Sequence, residues 1–406
     1  MLDRSSSFAV LAFATAALAQ GGHEGPKVFK ASELLPAAQR QGPHFQVKET
    51  VPTPGYFHEF EITSDYGNME AEGNSLLRTR LNEVDALGRL QDVSKTEVFL
   101  SAAGNSVLNV GKGVVNVVAD PGGTVKGLGG GLKRFGNNLG RKSKAAADSV
   151  ASQDPQAGST ADAATDVTMS ALGVNGAMRR WAQKLQVDPY TSNKVLRKAL
   201  EDVGKIDTAG GIAAKVVVPV PMVVGMTASV GDLVWGKDPQ ELMKLNEQRV
   251  AALTTDKKAA AAFLKNKAFT LGYQTRFIAA LDAVKAKGCG SYVDTAEGAE
   301  NERQVAFFTE SAELLQRFHQ SDPVEAILPD SRAIVAKTNS GRGVVLVAID
   351  YLAWSEAADK AVNEVGARAK AELKANSLEI RLTGRVSDRA RQELKARGWT
   401  VVEPPS

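Results

Sequence analysis

The chain of 406 residues has one cysteine, Cys289, and only four histidines. A single thiol can form no disulfide within the chain and no thiolate zinc site, and so few imidazoles argue against a histidine-built metal centre. Cys289 sits between Gly288 and Gly290 at an apparent helix end, with no His or Asn close in sequence, so it reads as a structural thiol. No charge of one sign dominates. With 49 basic against 46 acidic residues the net charge is +3, which supplies no overall pull toward nucleic acid. The motifs of common chemistries are missing too. Gly111-Lys112-Gly113 lacks the earlier glycine and the following Ser or Thr of a phosphate loop, and Leu132 stands where a dinucleotide fingerprint needs its third glycine. His23-Glu24 is followed by Gly25, Pro26 and Lys27 rather than by a second zinc-binding histidine, and no Gly-x-Ser-x-Gly elbow occurs. The sequence implies no cofactor and no metal, names no reaction and sets no oligomeric state.

What is present divides the chain. An apolar run from Phe8 to Ala19 ends in Ala17-Leu18-Ala19 and follows Arg4. It is too short to span a bilayer and suits a signal peptide, so the expectation is export to the periplasm or medium, with cleavage after Ala19. Residues 20–44, rich in Gly, Pro, Gln and Lys, read as a flexible leader. A β pair is expected over 45–48 and 56–62, with Tyr56, His58, Phe60 and Ile62 on one face and His58 half-buried there. From Asn74 to Val93 leucines and a valine recur at helical spacing, with Asn74 or Ser75 as cap and Arg78, Arg80, Glu83 and Asp85 turned away. The helical period continues through 94–118 and 124–140 but is laced with glycine, giving a Gly-rich helical hairpin, and 143–168 reads as a disordered linker.

Residues 169–320 form a succession of helices, one of them capped at Asp238-Pro239. Ile212 to Val230 is rich in valine, yet Pro219 and Pro221 would break a helix, and its uncharged stretch from 216 to 231 is short of the ~20 residues needed to span. It reads as a kinked core segment. Residues 321–406 alternate strands and helices and predict a small α/β sheet whose last two strands are parallel. The fold class is therefore α+β: mainly helical, with an N-terminal β pair and a C-terminal α/β sheet. The string Val187-Asp188-Pro189-Tyr190-Thr191-Ser192-Asn193, together with Ser387-Asp388-Arg389-Ala390-Arg391, Leu394 and Gly398-Trp399, resembles uncharacterised bacterial exported proteins over roughly residues 170–403. That resemblance implies the later architecture and no activity.

One segment is physically unusual. Between Asp120 and Asp148 lie Lys126, Lys133, Arg134, Arg141, Lys142 and Lys144 and no acid, and from Val125 to Gly140 they are interleaved with an apolar stripe of Val125, Leu128, Leu132, Phe135 and Leu139 and with six glycines. Each glycine costs a helix about 1 kcal/mol relative to alanine, so some face must hold the segment in order. Either a neighbouring helix does so, with the charges solvated, or a surface does. The functional expectation is a non-enzymatic cell-envelope protein contacting an anionic membrane surface or an envelope partner through Lys126, Leu128, Leu132, Lys133, Arg134, Phe135, Leu139, Arg141 and Lys142. The alternative is an exported enzyme with a site between the helical region and the C-terminal sheet, near Asp350, Arg385 and Ser387. Asp350, after a predicted strand, reads more economically as the cap or first turn of a helix.

Overall fold

The computed structural model describes residues 22–96, 99, 173–210 and 228–404. The signal-peptide run, the Gly-rich hairpin, the linker and nearly all of the valine-rich tract lie outside them. The flexible leader expected over 20–44 is ordered from residue 27 onward, and residues 27–53 are built of short strands and helices. They carry β1 (Lys27–Lys30), two single-turn helices, α1 (Ala31–Leu34) and α2 (Ala37–Arg40), then β2 (Gln41–Gly42), β3 (Phe45–Val47) and β4 (Thr50–Thr53). β1 pairs antiparallel with β4, and Ala31, Leu35 and Val51 are buried, which is what orders so polar a stretch. The expected β pair forms between β3 and β5 (Glu59–Ser64), and β2 and β6 (Met69–Glu72) extend it to an antiparallel sheet of order β2-β3-β5-β6. Phe60 and Ile62 are buried while Glu59 and Glu61 face solvent, as period two requires. His58 precedes the strand and is fully rather than half buried. Its Nδ1 lies 2.7 Å from Thr53 Oγ1, and burial lowers its pKa to about 4.

α3 (Asn74–Ser94) buries Leu76, Leu77, Leu81, Val84, Leu87 and Leu90. Beyond residue 172, α4 (Val174–Leu185) and α5 (Lys194–Gly210) form a hairpin, followed by α6 (Ala228–Gly236), α7 (Pro239–Leu253), α8 (Lys257–Lys265), α9 (Leu271–Val284), α10 (Cys289–Ala296) and α11 (Glu302–Ser321). Asp238 accepts the Glu241 amide at 2.9 Å with Pro239 in the first turn, the cap its dipeptide announces. Cys289 opens α10 rather than ending a helix, and burial pushes its thiol up to about 11. Between these helices the rings of Phe263, Phe269, Phe277, Tyr292 and Phe308 pack edge-on or tilted, with neighbouring centroids 4.9–5.9 Å apart. No helix among the described residues is long and apolar enough to cross a membrane.

The C-terminal sheet runs β13-β11-β9-β8-β7, from β7 (Val324–Ile327), β8 (Ile334–Thr338), β9 (Arg342–Val347), β11 (Ser377–Leu382) and β13 (Trp399–Val402). β11 and β13 are parallel, as the sequence predicts, and β9 is parallel to β11 as well, with α12 (Glu356–Ala371) and α13 (Asp388–Ala396) between successive members. A short parallel pair, β10 (Tyr351–Leu352) with β12 (Arg385–Val386), lies beside it. Both faces of the sheet are covered. Val335, Val345 and Val347 pack with α12 and α13, whereas Ile334, Ala336, Val344 and Leu346 join a core that includes Phe60, Leu77, Phe277 and Leu315. That core is continuous across residue 320, so the N-terminal sheet, the helices and the C-terminal sheet share one interior. Phe277, with no exposure, is at its centre; Phe277→Ala is expected to cost about 3–5 kcal/mol in a urea melt, and a loss below about 1 kcal/mol would show that the aromatic stack is not what holds the layers together.

Candidate functional site

The polar face of α3 does not simply point to water. Arg78, Arg80, Glu83 and Asp85 were expected to turn away from the core, yet Glu83 is 2% exposed and Arg80 is largely enclosed. The reason is the segment carrying Val187-Asp188-Pro189-Tyr190-Thr191-Ser192-Asn193. α4 ends with Gln186 in the left-handed region at φ 55°. Asp188 Oδ1 then accepts the Tyr190 amide at 2.8 Å, an Asx turn beside Pro189. Asn193 Oδ1 accepts the Val195 and Leu196 amides at 3.0 and 3.2 Å, capping α5. Locally the string is a turn and a cap, as its composition predicts. In space it presents three side chains to α3: Thr191 Oγ1 donates to Glu83, Asn193 Nδ2 donates to Glu83 at 3.0 Å, and Ser192 receives an N–H of Arg80 at 3.2 Å.

Arg80 completes the arrangement. It donates to Glu83 Oε2 at 2.9 Å and to Glu302 at the start of α11, and Ser192 Oγ donates to Glu302 Oε1 at 2.8 Å. The two carboxylates raise the Arg80 pKa further above its ordinary value against the opposing effect of burial. Beside them Arg276 of α9 makes a two-pronged pair with Glu313, at 2.8 and 3.0 Å, and stacks over the Tyr273 ring with 5.1 Å to the centroid.

These residues wall a cleft of about 50 Å3 between α3, the 186–192 loop, the start of α9 and the start of α11; Thr79, Asn82, Asp188, Thr270, Tyr273 and Glu302 are among its lining. Gly272 makes the fit possible. A Cβ there would stand 1.9 Å from Asp188 Oδ2, so no other residue lets the carboxylate approach α9 so closely. Burial pushes Asp188 up to about 6 despite its turn amide and Arg276, and pushes nearby Glu310 up to about 7, with Glu313 adding to the rise. Tyr273, 6% exposed, has its phenol raised by burial and by the adjacent Glu302. Among the described residues no group of three His, Cys, Asp or Glu side chains is placed to hold a metal.

The residues singled out from sequence fall elsewhere. Lys126, Leu128, Leu132, Lys133, Arg134, Phe135, Leu139, Arg141 and Lys142 lie outside the described residues. Asp350 is a capping group, though not for the chain that follows it. Its carboxylate accepts the amides of His58 at 2.9 Å and Asn74 at 3.1 and 3.2 Å, at the start of α3. Neither Asn74 nor Ser75 caps that helix; Gly73, at φ 107°, takes the position before it, and the acid arrives from far along the sequence. Burial raises Asp350 to about 6 against these hydrogen bonds. Ser387 caps α13 through the Ala390 amide at 2.9 Å and donates to Glu24, while the Arg385 side chain is exposed. Asp350, Arg385 and Ser387 therefore do not converge on a common site. Sequence reasoning missed Arg80, Glu83, Tyr273, Arg276 and Glu302. The one available signal was a charged pair three residues apart at the margin of an apolar stripe, Arg80 and Glu83 flanking Leu81. Compared with family models, curated proteins and solved structures, the chain matches none.

Two predictions follow from the network's energetics. Arg80→Ala leaves two carboxylates without their cation and is expected to cost about 3–5 kcal/mol by chemical denaturation, whereas a loss near zero would show that Glu83 and Glu302 are satisfied without it. Glu310 holds its proton more tightly folded than unfolded, so between its ordinary 4.5 and about 7 the folded chain binds more protons and stability falls as pH rises. His58, lowered from 6.5 to about 4, works in the opposite direction across most of that window, so the quantity to read is the difference between Glu310→Gln and the wild type. The variant's relative stability should grow by about 1–3 kcal/mol as pH rises through the window; a pH-independent difference would refute the assignment.

Proposed function

We propose that the chain is an exported, non-enzymatic protein of the cell envelope that contacts an anionic membrane surface through its basic, glycine-rich segment 125–144. The observation that carries this reading is where the framework attaches that segment. Val93 and Phe99, which precede it, and Val174 and Met178, which follow it, belong to one buried cluster, so the described residues on either side of the segment pack into the same interior. Where α4 begins and α5 ends the backbones run close: a Cβ on Gly204 would lie 3.2 Å from the Val174 carbonyl, and one on Gly173 would lie 4.0 Å from Thr208 Cγ2.

The energetics support a surface contact. Six cations without an acid among them each add roughly 1 kcal/mol toward an anionic leaflet, and the stripe of Leu128, Leu132, Phe135 and Leu139 supplies apolar area to bury. The remaining parts of the reading come from the sequence: the Ala17-Leu18-Ala19 site for export, and the absence of any recognisable catalytic motif. Flotation of the mature chain on phosphatidylglycerol-rich vesicles tests the proposal against a variant lacking residues 121–144. The intact chain should float, lose the lipid on raising salt, and ignore phosphatidylcholine vesicles, while the deletion variant stays in the lipid-free fraction. Equal flotation of the two proteins, or none by either, would overturn it.

A further inference from the structure

We propose that the cleft between α3, the 186–192 loop, α9 and the start of α11 binds a small aliphatic primary ammonium ion, seated on the Asp188 carboxylate and the Tyr273 hydroxyl. Three observations converge. The first is a donor and acceptor that the cleft wall leaves unused. Tyr273 is 6% exposed and lines the cleft, yet its hydroxyl makes no hydrogen bond among the described residues, although Glu302, Glu310, Arg80 and Arg276 all stand near enough to perturb it. The ring is buried while the hydroxyl opens onto a space that a ligand can fill. The second is Asp188: Oδ1 is taken by the Tyr190 amide, while Oδ2, pressed against Gly272, has no donor among the described residues. Glu83 and Glu302, by contrast, have both oxygens engaged by Arg80, Thr191, Asn193 and Ser192.

The third is the sign of the charge. The groups facing Asp188 are Glu83 from α3, Arg197 from α5 and Arg276 from α9, and Glu302 of α11 lines the same cleft with Arg80 bonded to it. Glu310 lies beside Tyr273 as well, and Arg276 is already matched by Glu313. Acids thus outnumber the cations beside them, and burial, with Glu83 adding to it, already favours the neutral form of Asp188, so an incoming cation relieves what a proton otherwise must. An ammonium group with three N–H donors meets this set: Asp188 Oδ2 and the Tyr273 oxygen accept, and the Thr270 hydroxyl, whose oxygen already receives the Tyr273 amide at 3.3 Å, lines the wall beside them. A divalent metal does not fit, since no three ligating side chains are grouped there. The volume of about 50 Å3 corresponds to roughly three to five water-sized probes, which sets the ligand at a short amine.

The test uses the intact chain, titrated calorimetrically with ethylammonium chloride and, in parallel, with tetramethylammonium chloride and potassium chloride at matched ionic strength. Ethylammonium should bind saturably above pH 6 and weaken roughly tenfold per pH unit below it, as Asp188 takes up its proton. Tetramethylammonium, which carries the charge without N–H donors, should give no saturable heat. Tyr273→Phe removes one oxygen from a fold-neutral ring and should weaken binding several-fold; Asp188→Asn should abolish it. Equal binding of tetramethylammonium or potassium, an affinity unchanged across pH 6, undiminished binding by Tyr273→Phe, or no saturable binding at all would each overturn the proposal. Deletion of residues 121–144 should leave ethylammonium binding intact, so this inference and the membrane reading fail separately.

Discussion

The Arg80 guanidinium, held between Glu83 and Glu302, joins α3 to α11, and through Glu83 both are joined to the loop that begins α5. Buried charges of this kind are costly to bring out of water, and they persist only when each finds its counter-charge and its remaining hydrogen bonds. Here Thr191, Ser192 and Asn193 supply those bonds from three successive positions. The geometry of the loop is therefore set by the need to satisfy an ion pair on another helix. The cleft lies where that loop, pressed against α9 at Asp188, also reaches α3 at Thr191.

Asp350 plays the corresponding part at the first turn of α3. A carboxylate at a helix start meets unpaired amides and the positive end of the helix dipole, so it stabilises that end even when buried. Its backbone is also engaged: Asp350 donates to the Tyr56 carbonyl at 3.0 Å and accepts from Arg385 at 2.9 Å. One residue thus fixes the C-terminal sheet against both the N-terminal sheet and α3. Glu24 does similar work nearer the N-terminus, accepting the Trp354 amide at 2.8 Å and the Ser387 hydroxyl. This explains why residues that look too polar to order themselves are nonetheless placed.

Several elements were legible in the residues. The leucine period of α3, the Asp238-Pro239 start of α7, the alternation in β5 and the parallel end of the C-terminal sheet all follow from spacing and from caps within a few residues of the helices they begin. The candidate site was legible only in outline. The 187–193 string could be read as a turn and a cap because Asp, Pro and Asn act on their own neighbours. That its hydroxyls would meet a glutamate more than a hundred residues earlier could not be read, since no local rule links them. Arg80 and Glu83 looked solvent-facing for the same reason: a charge beside an apolar stripe faces water unless a distant segment covers it.

The sequence by itself determined many of the helices and strands and where they start, and it sets the expectation that a basic, glycine-laced stretch needs a neighbouring helix or a surface to hold it, because periodicity, capping and backbone entropy act over a few residues. Only the tertiary structure decided that three regions share one core, that Asp350 caps a helix 276 positions away, and that Asp188, Tyr273 and Glu302 line one cleft. Those outcomes depend on which surfaces are brought together and on how much water is excluded between them, and charge pairing across such distances becomes strong only once that exclusion is complete.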